Sequence, residues 1–283
     1  MKNLLLALLL ISGWSSANER LQTALDASQA RDFPTAIVQL QDMLAQEADR
    51  DVLFHLARVQ HQAGAFSDAA DTLDTLHEAY PGDADAWYLQ ALVNLSLVQE
   101  VSLFKKVGMA KQTLAAFEEA VKLDPNHINA RYGIFAFYAN APSIAGGDLE
   151  KARALQPDLH RRDAGFGAMA DALLLSKADD LEAAEAAYLD AIRLLDRAGP
   201  HFALAQFYLQ TEQWDKVLPE IESFHEKEKR WWDPDITVAH LIAARANAQL
   251  GREAQARELA TLALDMSPTD QIRDLLEETL NEL

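Results

Sequence analysis

Apolar residues recur at helical spacing along almost the whole chain, and glycine, proline and acidic residues interrupt them at intervals. The clearest unit runs from Asp51 to Pro81. Val52, Leu53, Leu56 and Val59 fall on one helical face, and Gly64 breaks the run. Phe66, Ala69, Ala70, Leu73 and Leu76 then resume it until Pro81 stops it. The spacing predicts two helices folded back on each other within about 34 residues.

The same grammar recurs. A first hairpin covers residues 18–49, with Leu21, Leu25 and Ala27 on one helix and Phe33, Ala36, Ile37, Leu40 and Leu44 on the next. Pro34 sits in the first turn of that second helix, where its missing N–H costs nothing. A third hairpin opens at Ala84 with Trp87, Ala91, Leu92 and Leu95, and closes through Leu114, Phe117, Ala120 and Val121 at Asp124-Pro125. The interval from Pro81 to Pro125 exceeds a regular repeat by about ten residues. The surplus, near Ser96–Gly108, is apolar and predicts longer helices rather than a loose loop. A fourth hairpin starts at His127, crosses the loop APSIAGG, and ends in a short helix capped by Asp148 and stopped by Pro157. Three more follow from Asp163, Pro200 and Ile236. Residues 269–283 form one last amphipathic helix, the kind of cover an open stack needs for its final apolar face. No strand-like alternation and no linker interrupts the series. The expectation is an all-α solenoid of about seven hairpins with a C-terminal capping helix, in one domain over 18–283.

Composition adds an address. Lys2, the apolar run Leu4–Ile11 and the small residues Ser15, Ser16 and Ala17 read as a secretory signal cleaved after Ala17. The run is shorter than the roughly 20 residues that span a bilayer. Cysteine is absent, which removes a lipid anchor, disulfides and thiolate metal sites. The expected location is periplasmic or secreted, with no membrane segment in the mature chain. The formal charge is −19; removing Lys2 leaves 24 basic against 44 acidic residues, about −20. Phosphate backbones repel such a chain, so nucleic acid is not an expected partner.

These residues resemble the tetratricopeptide repeat. Trp87 and Ala91, Gly64 and Ala69, Phe117, Ala120 and Asp124-Pro125, and Gly251, Ala256, Ala263 and Pro268 match its pattern of large, small and turn positions. Small residues let paired helices approach to ridge-in-groove distance. The run ARYGIFAFYANAPSIAGG is similar to a loop in exported bacterial proteins of this family that have no settled activity. The resemblance implies a scaffold that binds a protein or peptide on its concave face. Position by position it implies groove residues Arg58, His61, Tyr88, Asn129, Tyr132, Asn140, Gln206, Arg245 and Gln249. The carboxylate clamp of chaperone-binding members is not expected, because Phe54 and Arg58 stand where it needs Lys and Asn.

Chemistry is thin. Gly146, Gly147 and Asp148 could present backbone N–H groups to an anion, although Asp148 and Glu150 would repel one and a plain turn explains the glycines better. The eight histidines lack metal spacing, and no HExxH, GxSxG, P-loop or dinucleotide fingerprint occurs. No catalytic residue, metal or cofactor is expected. The adjacent Trp231 and Trp232 are either an exposed binding anchor or, as aromatics in repeat proteins more often are, packing between hairpins. The functional expectation is a non-enzymatic interaction scaffold of the bacterial envelope. Two alternatives stay open: a structural subunit of an envelope assembly, and a small-molecule binder or enzyme using the loop around Gly146.

Overall fold

The computed structural model describes residues 17–46, 48–100 and 102–283. The expected signal segment lies almost wholly outside the described residues. Within them the chain is helical, with no strand. Helix α1 spans residues 17–29. It is followed by α2 (Phe33–Leu44), α3 (Arg50–Gln62), α4 (Phe66–Ala79), α5 (Ala84–Glu100), α6 (Leu103–Leu123), α7 (Ile128–Asn140) and α8 (Leu149–Arg162). The remainder is α9 (Ala164–Lys177), α10 (Leu181–Leu195), α11 (Ala198–Gln210), α12 (Trp214–Glu226), α13 (Ile236–Gln249), α14 (Glu253–Asp265) and α15 (Asp270–Glu282). Consecutive helices pair as seven hairpins, and α15 closes the series, as the periodicity predicts.

The core is a relay of clusters, each shared by neighbouring hairpins. Ala24, Phe33, Leu40 and Val59 join the first two. Leu53, Leu73, Leu76 and Leu89 join the second to the third, and Phe135, Leu159 and Ala170 the fourth to the fifth. Alanines at the crossings, among them Ala69, Ala91, Ala120 and Ala205, are fully buried and keep the backbones close. The surplus in the third hairpin lengthens α5 and α6, as expected from its apolar content.

One boundary differs from the expectation. Helix α8 does not stop at Pro157 but runs through it to Arg162. Proline removes one helical hydrogen bond and crowds the preceding turn. Here the far half is held from outside: Leu159 is buried, Asp158 accepts from Arg131 of α7 at 3.1 Å, and Arg162 Nη1 donates to the Pro125 carbonyl at 3.1 Å. Tertiary anchoring outweighs the local break.

The solenoid also closes on itself. Arg31, in the first hairpin turn, donates from Nη1 to Asp235 Oδ2 at 2.7 Å and from Nε to the Met266 carbonyl at 2.6 Å. Gly64 lies so near Thr269 that a Cβ there would stand 3.1 Å from its methyl group. The first two hairpins thus touch the last one and the cap.

Candidate functional site

The inner face is built from the first helices of the hairpins, and two cavities lie along it. The larger, about 510 Å³, sits between α5 and α7 with α6 as its floor. Its walls are largely apolar: Leu92, Leu95 and Val98 from α5, Phe117 from α6, Ala136 and Phe137 from α7. Tyr88, Asn129, Tyr132 and Asn140 line it, so four of the nine expected groove residues come together here. Gly133 makes the floor possible, since the Phe117 ring lies 2.7 Å from where its Cβ would be. Tyr132 packs on Phe135 and Phe166, each at 5.6 Å, and burial holds its phenol well above the ordinary tyrosine range. Asn140 is exposed at the rim and donates to the Ala136 carbonyl at 3.0 Å. Leu95 is 46% exposed on α5, a large apolar side chain left open to solvent.

The smaller cavity, about 240 Å³, joins Arg58 and His61 on α3 to Ser96 on α5 and to Asp235, Thr237 and Gln271 at the end of the chain. His61 Nε2 lies 3.0 Å from Ser96 Oγ, and burial pushes its pKa down to about 4, so the ring is neutral at pH 7. Among the described residues Arg58 makes no ion pair, and its Nε is buried without a hydrogen-bond partner there. Burial lowers its pKa, although a guanidinium keeps its proton at any physiological pH. A half-buried cation with no counter-charge among the described residues is a costly arrangement.

A chain segment covers this second cavity. Trp231 stands edge-on to Phe54 at 5.4 Å and to Tyr88 at 5.6 Å, and Trp232 stands edge-on to Tyr88 at 6.4 Å. Arg197 lies 6.0 Å above the Trp232 ring. Both tryptophans are half-buried. The pair therefore packs, as preferred from the sequence, but against the inner face of hairpins two and three rather than between neighbouring hairpins. Tyr88 is only 7% exposed as a result. Sequence reasoning named the tryptophans without finding their seat, because nothing local marks a contact about 140 residues away along the chain.

The other expected groove residues do not join these cavities. Arg245 is turned to the cap, with Nη2 3.7 Å from Glu278 and Nε 3.5 Å from Thr279 Oγ1. Gln206 and Gln249 lie exposed on α11 and α13.

At the Gly146 loop the donors are taken within the turn. Gly146 N donates to Ser143 O, Gly147 N to Pro142 O and Asp148 N to Tyr138 O. The Asp148 carboxylate then caps α8 by accepting from Glu150 N and Lys151 N. Gly146 holds φ +106°, and a Cβ on Gly147 would overlap the Ala141 carbonyl oxygen. Turn geometry accounts for both glycines. No cluster of three or more His, Cys, Asp or Glu suited to a metal occurs among the described residues. No helix there is long and apolar enough to cross a membrane.

The repeat geometry and the inner-face cavities define the class: an α-solenoid built for lateral contact. The tetratricopeptide repeat family model matches residues 27–93. Tetratricopeptide repeats are thus present in that stretch, and the whole described chain continues their fold. A tetratricopeptide repeat protein from Parabacteroides merdae is similar over 94% of this chain and 100% of its own, at 14% identity and TM-score 0.54. TTC0263, a thermophilic repeat protein of Thermus thermophilus, is similar over 83% and 98%, at 16% identity and TM-score 0.50. Human IFIT1, crystallised as a dimer with m7Gppp-AAAA, is similar over 88% of this chain and 54% of its own, at 14% identity and TM-score 0.56. At such identities the likeness concerns fold alone. No curated protein matches by sequence.

Proposed function

We propose that this chain is a non-enzymatic protein-interaction scaffold of the bacterial envelope, docking an apolar segment of a partner protein between α5 and α7. The observation that carries this reading is the 510 Å³ cavity: apolar walls, the exposed Leu95 at its mouth, and the amides of Asn129 and Asn140 beside them. Buried apolar contact supplies affinity in such a groove, and the amides fix register through a peptide backbone. The signal-like N-terminus supports an exported location, and the fold supports a partner-binding role.

A photo-crosslinking residue at Leu95, compared in cells with one at Glu118 on α6, tests the site. Discrete adducts from Leu95 and not from Glu118, reduced by Tyr132→Ala, are the expected outcome. Equal adducts from both positions, or none from Leu95, would remove the docking site. Retention of the cleaved chain in a periplasmic fraction tests the address.

A further inference from the structure

The segment between α12 and α13 has the character of a ligand seated in its own receptor. Residues 226–230 leading into it are exposed, and the segment has no regular structure. Its anchors are two aromatic rings laid side by side on Phe54 and Tyr88. Tryptophan and tyrosine are enriched at binding hot spots. The seat is imperfectly filled, because the 240 Å³ cavity remains between the segment, α3 and α5.

Arg58 marks what the internal segment fails to supply. Both nearby carboxylates of the segment are engaged elsewhere. Asp235 pairs with Arg31 and accepts from Thr237 N at 2.9 Å, and Asp233 accepts from Arg230 N at 2.7 Å. Arg58 is left with no counter-charge among the described residues, beside an open volume.

We infer that the inner face of α3 and α5 is a receptor for an extended partner segment carrying two adjacent aromatic residues and an acidic side chain, held closed in this chain by Trp231 and Trp232. This rests on the scaffold reading above and names the chemistry of the partner at the neighbouring end of the same face. The aromatic pair takes the Phe54–Tyr88 seat. The acidic side chain meets Arg58, forming the charge-assisted pair that the internal segment does not make. Because the internal segment is tethered, it competes at high effective concentration and lowers the apparent affinity of any outside segment.

The test uses a labelled peptide of residues 228–236 (EKRWWDPDI), titrated by anisotropy against the wild-type chain and the variant Trp231→Ala/Trp232→Ala. Emptying the seat should tighten binding by about tenfold or more, the size of a modest cis-competition penalty. A peptide with both tryptophans replaced by alanine should not bind. A peptide with both aspartates replaced by asparagine should bind about tenfold more weakly, and Arg58→Met should erase that difference. Equal binding to wild type and variant, binding of the alanine peptide, or no binding to the folded double variant overturns the inference. Should circular dichroism show the double variant unfolded, Arg31→Ala, which loosens the segment but keeps both rings, takes its place. Unchanged peptide affinity in Arg31→Ala overturns it equally. Loss of the peptide result with intact Leu95 adducts would sink this inference and leave the scaffold reading standing.

Discussion

A single left-handed residue ends the first helix in five hairpins. Arg31, Gly64, Asp179, Glu212 and Gly251 all have φ between +58° and +79°. In each case the next residue's N–H reaches back five positions, as in Asp32 N to Ala27 O and Gln213 N to Tyr208 O, both 2.9 Å. That is the Schellman termination, which favours glycine because other side chains crowd the backbone there. The sequence advertised the turn only at Gly64 and Gly251. Glu212→Gly should therefore stabilise the fold by roughly 0.5–1 kcal/mol, read as a higher urea midpoint at unchanged slope. Histidine burial gives a second prediction at this scale. Burial pushes His55, His61 and His225 down to about 4. Their folded-state values lie below the unfolded 6.5, so their contribution is complete above that pH and is lost as pH falls towards 4. Urea midpoints should fall between pH 7 and pH 5, and His61→Gln should flatten the fall. A midpoint independent of pH over that range would contradict the burial account.

Helices are where propensity and tertiary anchoring compete. Local signals placed α4, α14 and the lengthened α5 and α6 correctly, because apolar spacing and breakers agree there. They failed at Pro157, where the partners of Asp158 and the burial of Leu159 carry α8 onward. The Gly146 loop shows the same division. Its turn was legible, but the need for glycine at position 147 comes from the Ala141 carbonyl, 1.7 Å from a would-be Cβ. Gly147→Ala should cost about 2 kcal/mol or more, by forcing that backbone apart. The terminal helix rests on Leu276, which is fully buried against Leu241, Ala260 and Ala263. Leu276→Ala should destabilise by about 2–4 kcal/mol. In a repeat stack the loss should fall first on α13–α15, seen as faster amide exchange there than in α3–α6.

Closure is a property of the whole molecule. Arg31 spans from the first turn to the seventh hairpin and the end of α14, and it is only 19% exposed while doing so. Repeat proteins are usually held by contacts between neighbours alone. Here one guanidinium adds a contact between the ends, with Trp231 and Trp232 as a second. Arg31→Ala should leave helix content unchanged while amide exchange quickens in 226–236 and 266–272, and small-angle scattering should report a larger radius. Unchanged exchange in both segments would show that the ring is held without the arginine.

The sequence by itself determined the helical repeat, its register and its cap, because 3.6-residue periodicity, small crossing residues and breakers act within one hairpin and its neighbour. The resemblance to the tetratricopeptide repeat further assigned Tyr88, Asn129, Tyr132 and Asn140 to the inner face, and all four line one cavity. Only the tertiary structure decided that the ends meet, that Arg245 serves the cap, and that Trp231 and Trp232 pack on Phe54 and Tyr88. Those contacts join residues far apart in the chain. Their existence depends on how a small rotation per hairpin accumulates over seven of them, a sum that no local pattern records.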